Sequence, residues 1–363
     1  MTKRSPIAVV GMAGIFPGAA DLSTYWRNIV SGFDASSEAP ADRWIADAAL
    51  MVSRTPAPDK AFHRRGCFLD PVDFDPVGFD LAPDLLQDLD PMLRLVLTVG
   101  KTALSGTIPV RCDRRRTGVV LAAIALPTDS ASALTRDLAR GLIEHHLFGA
   151  GAYRPPPAKR RPAARVTSLP AALLAGGLGL GGGAFTLDAA CASSLYAVKL
   201  ACDELAAGRA DAMLAGGVSR PDCLFTQVGF SQLRALSPSG RCAPFDRGAD
   251  GLVVGEGAGI LVLKRLADAV ADNDRIYGLI RGIGLSNDMH GNLLAPDTEG
   301  QLRAMRSAYA AAGLPPEAVD LIECHGAGTP VGDATELRSL CRLWESAGAA
   351  PDRCALGSVK SMI

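Results

Sequence analysis

The hydrophobic period of this chain changes abruptly around one cysteine, and that change constrains its fold more than any other stretch. Ala184 to Ala189 is apolar, with glycines on its N-terminal side, as a short buried strand would be. Beyond Cys191, the residues Leu195, Val198, Leu200, Cys202 and Leu205 fall near helical spacing, and Gly208 stands where that helix would stop. Cys191 therefore sits at a strand-to-helix join, at the N-terminus of the helix. Unpaired backbone N–H groups and the positive end of the helix dipole favour the thiolate there, and the thiolate is the form that attacks carbonyl carbons. Ala189, Ala190, Ala192, Ser193 and Ser194 are small enough to let a substrate approach closely. A lone cysteine among nine is more often a small buried core residue. The flanking pattern reverses that weighting here.

Composition narrows the classes of function. With 363 residues, 48% hydrophobic and 21% charged content and a net charge of −1, the chain reads as a globular protein with ample core and no pull toward nucleic acid. No run is long and apolar enough to span a bilayer, and Lys3-Arg4 leads into the short run Ile7-Ala8-Val9-Val10 rather than a secretory leader. The nine cysteines form no C-x-x-C pair and read as reduced thiols, so a cytoplasmic location is expected. His63, His145, His146, His290 and His325 show no metal-ligand spacing, and no metal is expected.

In chain order, Ile7 to Gly11 reads as a strand entering a glycine-rich turn, Gly11 to Gly18. Asp21 or Ser23 then caps a helix carrying Tyr25, Trp26, Ile29 and Val30. Glu38 to Asp80 reads as long loop with the aromatic anchors Trp44, Phe62, Phe68, Phe74 and Phe79. Leu81 to Leu104 is helical in spacing and Thr117 to Ala125 a buried strand. The basic, proline-rich stretch from Arg154 to Pro162 reads as solvated loop, with docking of an acidic carrier protein as the functional alternative. Gly177 to Gly182 satisfies G-x-G-x-x-G but precedes a strand instead of following one, so it reads as a turn and not as a dinucleotide site.

Further along, Asp211 to Gly217 and Ile260 to Leu263 read as strands, and Glu256 between Gly255 and Gly257 as a structural carboxylate. The polar, helical stretch Ala267 to Asp274 is the best domain boundary, which gives 1–268 and 269–363. Beyond it come a strand from Ile276 to Gly284, a helix from Thr298 to Ala312 and a strand from Val319 to Cys324. The last of these ends at His325 in a glycine-flanked loop, where α/β folds place working side chains. Ala355 to Lys360 is a short strand delivering a lysine.

These motifs together resemble the β-ketoacyl synthases, specifically the ketosynthase domain of modular polyketide or polyunsaturated fatty acid synthases. The matching stretches are Val10-Gly11-Met12-Ala13 with Phe16-Pro17-Gly18, then Asp188-Ala189-Ala190-Cys191-Ala192-Ser193-Ser194-Leu195. Phe245-Asp246 with Ala249-Asp250-Gly251 and Gly255-Glu256-Gly257 follow, then Glu323-Cys324-His325-Gly326-Ala327-Gly328-Thr329-Pro330 and Gly357-Ser358-Val359-Lys360. Any one is weak; five in the family's order are specific. The resemblance implies an α/β, thiolase-like five-layer αβαβα fold of two similar halves, and a homodimer. It implies Cys191 as nucleophile, His325 and Lys360 as further catalytic residues and Thr329 as a substrate-binding hydroxyl. Asp250, Glu256 and Asp333 are expected as structural support. No bound cofactor is implied, because substrates arrive on the phosphopantetheine of an acyl carrier protein. The reaction implied is decarboxylative Claisen condensation of an acyl-cysteine with a malonyl-type thioester.

The chain departs from that family in two places. Ala327 stands where a threonine is usual, and its hydroxyl would bind the pantetheine arm. The family also continues past the lysine into a Gly-His pair and a glycine-rich, Phe-containing loop that supply a second histidine and a second oxyanion N–H. None of this occurs up to Ile363, so the C-terminal half is expected to be incomplete here. A non-catalytic ketosynthase-like partner and a thiolase-type enzyme are the alternatives. Retention of Cys191, His325 and Lys360 disfavours the first, and the His325-Gly326 and Gly357-to-Lys360 patterns disfavour the second.

Overall fold

The computed structural model describes residues 5–44, 46–105, 110–148, 169–290, 295–348 and 354–363. The basic stretch from Arg154 to Pro162 lies outside the described residues. The chain begins with β1 (Ile7–Ile15), α1 (Leu22–Ser31), β2 (Ser37–Glu38), α2 (Ala48–Met51), β3 (Arg65–Gly66), α3 (Pro83–Gln87) and α4 (Pro91–Ser105). It continues through β4 (Thr117–Ala123), α5 (Asp129–Phe148), α6 (Leu169–Gly177), β5 (Ala184–Leu187), α7 (Ser193–Ala206), β6 (Ala212–Ser219) and α8 (Cys223–Gln232). The remainder is β7 (Gly257–Arg265), α9 (Leu266–Ala271), β8 (Gly278–Ile280), α10 (Thr298–Ala312), β9 (Leu321–Glu323), α11 (Pro330–Ala347) and β10 (Ala355–Gly357).

One six-stranded mixed sheet in the order β5-β4-β6-β7-β1-β8 organises the molecule. β4 runs parallel to β5 and β6, whereas β7 is antiparallel to both β6 and β1. Because strand side chains alternate, the two faces bury different sets. Val119 and Leu121 of β4, with Ile260 and Val262 of β7, face α4 and α6 and pack on Val96, Leu97 and Leu174. Val120 and Leu263 face the other way, onto Ala197, Ala201 and Leu205 of α7. The α7 residues touching the sheet are mostly alanines, so the helix that follows Cys191 lies close against it. Among the described residues a separate parallel pair, β9 with β10, sits beside α10 and α11, whose Leu302, Leu340, Leu343 and Trp344 form their own core with Cys324. No helix among the described residues is long and apolar enough to cross a membrane.

Three expectations are corrected. β1 extends to Ile15, absorbing glycines that read locally as a turn. At Gly11, beside a register shift with β7, a Cβ would stand 2.5 Å from the Ala103 carbonyl oxygen, so the glycine marks a close backbone approach inside a strand. The helical stretch from Leu81 breaks into α3 and α4 at buried Asp90, which accepts from Met92 N at 2.8 Å and from Ser130 N at 3.0 Å. β5, expected to be buried, is instead the edge of the sheet: Ala184 and Phe185 are exposed, and only Thr186 and Leu187 are half-buried.

The long loop from Glu38 is fixed to the core by a buried ion pair. The Arg43 guanidinium grips both oxygens of Glu256, Nη1 reaching Oε2 at 3.2 Å, and Leu69 N donates to Oε2 at 3.1 Å. The two side chains are only 8% and 5% exposed. Removing Glu256 leaves the buried Arg43 charge with only Asp129 Oδ2, 3.9 Å from its Nε, as a counter-charge, at a cost approaching about 3–5 kcal/mol. Glu256→Leu is therefore expected to lower stability by that amount in urea unfolding. A loss below about 1 kcal/mol would mean that water reaches Arg43 and replaces the carboxylate.

Candidate active site

Cys191 occupies the middle of a single 3₁₀ turn, Ala190–Ala192, that joins β5 to α7. The turn is forced by its neighbours. Asp188 accepts from Ala190 N at 2.8 Å with one oxygen and from Ala125 N, beyond β4, at 2.9 Å with the other. Ser193 Oγ accepts from Ala189 N at 2.7 Å and donates to Ala190 O at 2.6 Å. Between these clamps Ala190 is held at φ 51°, a conformation that a residue with a Cβ adopts only when its surroundings impose it. The result is a sharp elbow that presents the exposed thiol of Cys191 at the foot of α7.

Seven of the other eight thiols are less suited to nucleophilic work. Burial pushes Cys67 up to about 12 and Cys202, Cys223 and Cys324 up to about 11. Desolvation also raises Cys242 and Cys354. Cys341 is exposed but lies well inside α11, away from a helix start. Iodoacetamide is expected to modify Cys191 ahead of those six raised thiols, as read by peptide mapping. Labelling of them at the same rate in folded protein would contradict this assignment.

His325 follows β9, and its main chain is held at both its N–H and its carbonyl. Glu336 of α11 accepts from His325 N at 2.7 Å and from Gly326 N at 2.8 Å. On the carbonyl side, Lys360 Nζ donates to His325 O at 2.7 Å and Ser358 Oγ to Gly326 O at 2.9 Å. Although the residue is solvent-accessible, the protein around it lowers the imidazole pKa below its ordinary 6.5. Desolvation is the leading cause and the Lys360 charge acts in the same direction, while Glu336 and Asp333 oppose them. The shift favours the neutral ring, which offers a hydrogen-bond donor without carrying charge.

The remaining predicted residues lie around these two centres. Lys360 sits in a helical turn just after β10, and its ammonium holds the His325 backbone. Thr329 is half-buried at the start of α11, and Ala327 is buried, its carbonyl accepting weakly from Cys242 Sγ at 3.5 Å. Asp333, 6% exposed, accepts from Phe245 N at 2.8 Å. Asp250 accepts from Ser237 Oγ at 2.5 Å and Ser239 N at 3.1 Å, folding the loop between α8 and β7. His325, Lys360 and Ser358 thus form one hydrogen-bonded group with Glu336. Among the described residues no hydrogen bond joins that group to Cys191. Sequence reasoning missed Glu336, Ser358 and the strain at Ala190. An acid two turns into the helix after a glycine-rich loop was the available signal for Glu336, because the loop's N–H groups need acceptors.

Residues 4–269 match the β-ketoacyl synthase N-terminal domain, and residues 277–363 the β-ketoacyl synthase C-terminal domain. The chain belongs to the β-ketoacyl synthase family. Among relatives, a phenolphthiocerol/phthiocerol polyketide synthase of Mycobacterium tuberculosis is 37% identical over 99% of this chain, which spans 22% of that protein. Polyketide synthase PksL of Bacillus subtilis is 33% identical over 98% of the chain and 7% of its own length. The ketosynthase chain therefore spans about a fifth or less of these relatives. Among solved structures, the PfaC keto synthase–chain length factor superposes with a TM-score of 0.90 at 39% identity, covering 99% of this chain and 39% of that one. The ketosynthase from module 6 of the bacillaene synthase of Bacillus subtilis gives 0.80 at 32% identity, over 99% and 57%. The thiolase-like α/β class expected from the motifs is the class found.

Proposed function

We propose that this ketosynthase chain performs decarboxylative Claisen condensation, with Cys191 as nucleophile and His325 as donor to the developing enolate. The observation that supports it most is the elbow: a strained Ala190 clamped by Asp188 and Ser193 presents one thiol at a helix start. The thiolate attacks the carbonyl of an acyl thioester, and the carrier's pantetheine thiol leaves with a proton. In the second stage the malonyl C–CO₂ bond breaks, its electron pair forms the enolate, and the enolate carbon attacks the acyl-cysteine carbonyl. The C–S bond then breaks and returns the thiolate of Cys191. Charge builds on the thioester oxygen during loss of CO₂, where a neutral imidazole N–H stabilises it. Lys360 orients His325 through its carbonyl and does not itself react.

The partner in this reading is an acyl carrier protein, and phosphopantetheine carries both substrates. Residues 1–268 form the half bearing the nucleophile and 269–363 belong to the half bearing the histidine. A homodimer is supported by the outer edge of β5, unpaired among the described residues, with Phe185 39% and Leu195 65% exposed near Cys191. The reading is tested by supplying acyl-carrier and malonyl-carrier thioesters and measuring CO₂ release and β-ketoacyl product by mass spectrometry. Acyl transfer with no product and no CO₂ would overturn it.

Ala327 provides a graded test of carrier binding. One neutral hydrogen bond is worth about 0.5–1.5 kcal/mol, so Ala327→Thr is expected to tighten pantetheine-thioester binding by roughly 2–12-fold. Unchanged or weaker binding would show that the arm takes another path past this loop.

A further inference from the structure

Asp333 and Glu336 lie about one turn apart on α11, and each holds a different piece of chain. Glu336 holds the N–H groups of His325 and Gly326, whereas Asp333 holds the N–H of Phe245, which lies in the loop between α8 and β7. Phe245 has φ 60°, a backbone region in which a bulky residue is an outlier. Its ring packs against the core formed by Leu302, Cys324, Leu340, Leu343 and Trp344. The same ring lies against Gly326, where a Cβ would stand 3.1 Å from Cε2. One helix thus anchors both His325 and an aromatic residue that presses on its neighbour.

We propose that Phe245 is a positioning residue for His325: pinned in a left-handed conformation by Asp333, its ring closes the side of the His325–Gly326 main chain that Glu336, Lys360 and Ser358 leave open. Strain at Phe245 is retained because Asp333 and the ring's packing impose it, and such imposed outliers gather where a site must be held still. A Cβ at 326 would stand 2.7 Å from Ser358 Cβ and 3.1 Å from the Phe245 ring, so the glycine, at φ 37°, is fitted between the two. The charged groups bearing on the imidazole are Lys360, from the turn after β10, and Glu336 and Asp333, from α11. Phe245 adds no charge and acts by keeping the loop closed around the ring. The inference rests on the condensation reading only for its kinetic readout.

Phe245→Gly is the test, because glycine adopts the same φ without strain while the ring is lost. Malonyl-thioester decarboxylation is expected to lose about 10–10²-fold in kcat, as small misplacements of a catalytic group do, with KM for the carrier substrate unchanged. Acylation of Cys191 is expected to keep its rate. The His325 imidazole, followed by NMR titration, is expected to rise toward 6.5 as water enters, and Phe245→Tyr should restore both values. A purely structural role would lower acylation and decarboxylation together with the melting temperature and leave the titration in place. Unchanged titration and kcat in a folded variant overturn the proposal. Should Phe245→Gly not fold, Phe245→Leu, which removes the ring and no charge, is read in the same way. A shifted titration in a protein that never releases CO₂, wild type included, sinks the condensation reading and leaves the positioning role standing.

Discussion

Replacing Cys191 with alanine is expected to abolish acyl transfer to the protein and to slow condensation by at least about 10⁴-fold, the order seen when a nucleophile working within a concerted unit is removed. The loss should be selective. Decarboxylation of the malonyl thioester draws on the His325 side of the site, which shares no hydrogen bond with Cys191 among the described residues, so CO₂ release should continue. Serine at 191 keeps the size but has a far higher pKa and should acylate little better than alanine. Near-normal condensation by the alanine variant, measured as β-ketoacyl product per unit time, would show that another group carries the acyl chain.

His325→Ala is expected to give the complementary defect. Cys191 should still be acylated, while decarboxylation falls by about 10²–10³-fold, the usual worth of one donor aimed at a developing oxyanion. His325→Asn should recover part of this because it keeps an N–H. The pH dependence follows from the lowered pKa. The neutral ring is the active form and persists below the ordinary 6.5, so the acid limb of the decarboxylation profile should lie under that value. Stability follows the same sign: the folded protein binds fewer protons at this site than the unfolded chain. The contribution is therefore present above 6.5 and is lost as the pH falls below it. An acid limb above 6.5 would mean that the imidazole pKa is raised and not lowered, and activity lost as the pH rises through it would mean that His325 acts as a charged group.

Much of the fold could be read from local chemistry. α10 runs from Thr298 to Ala312 as its spacing predicts, with Asp297 accepting from Glu299 N at 3.2 Å and Gly313 ending it at φ 63°. Asp21 caps α1 by accepting from Thr24 N at 2.7 Å. β4 and β6 lie where continuous apolar runs place them. What resisted reading depends on partners distant in sequence. Gly11 signals a turn locally, yet the Ala103 carbonyl makes it a strand residue. β5 looks like an interior strand from its own residues, and only the order of the whole sheet puts it at an edge. The same holds at the site. The flanks of Cys191, His325 and Lys360 make them candidates, whereas the strain at Ala190 and Phe245 comes from Asp188, Ser193 and Asp333 through contacts that no spacing rule encodes.

The central claim is that the acyl chain resides on Cys191 before carbon–carbon bond formation. The direct measurement is to incubate the protein with an acyl-carrier thioester alone, stop the reaction with acid, digest, and locate the added mass by peptide sequencing. The account predicts one acyl group on the peptide containing Cys191, discharged as β-ketoacyl product when malonyl-carrier is added. Acyl mass on another cysteine, or condensation proceeding with Cys191 unmodified throughout, would contradict it.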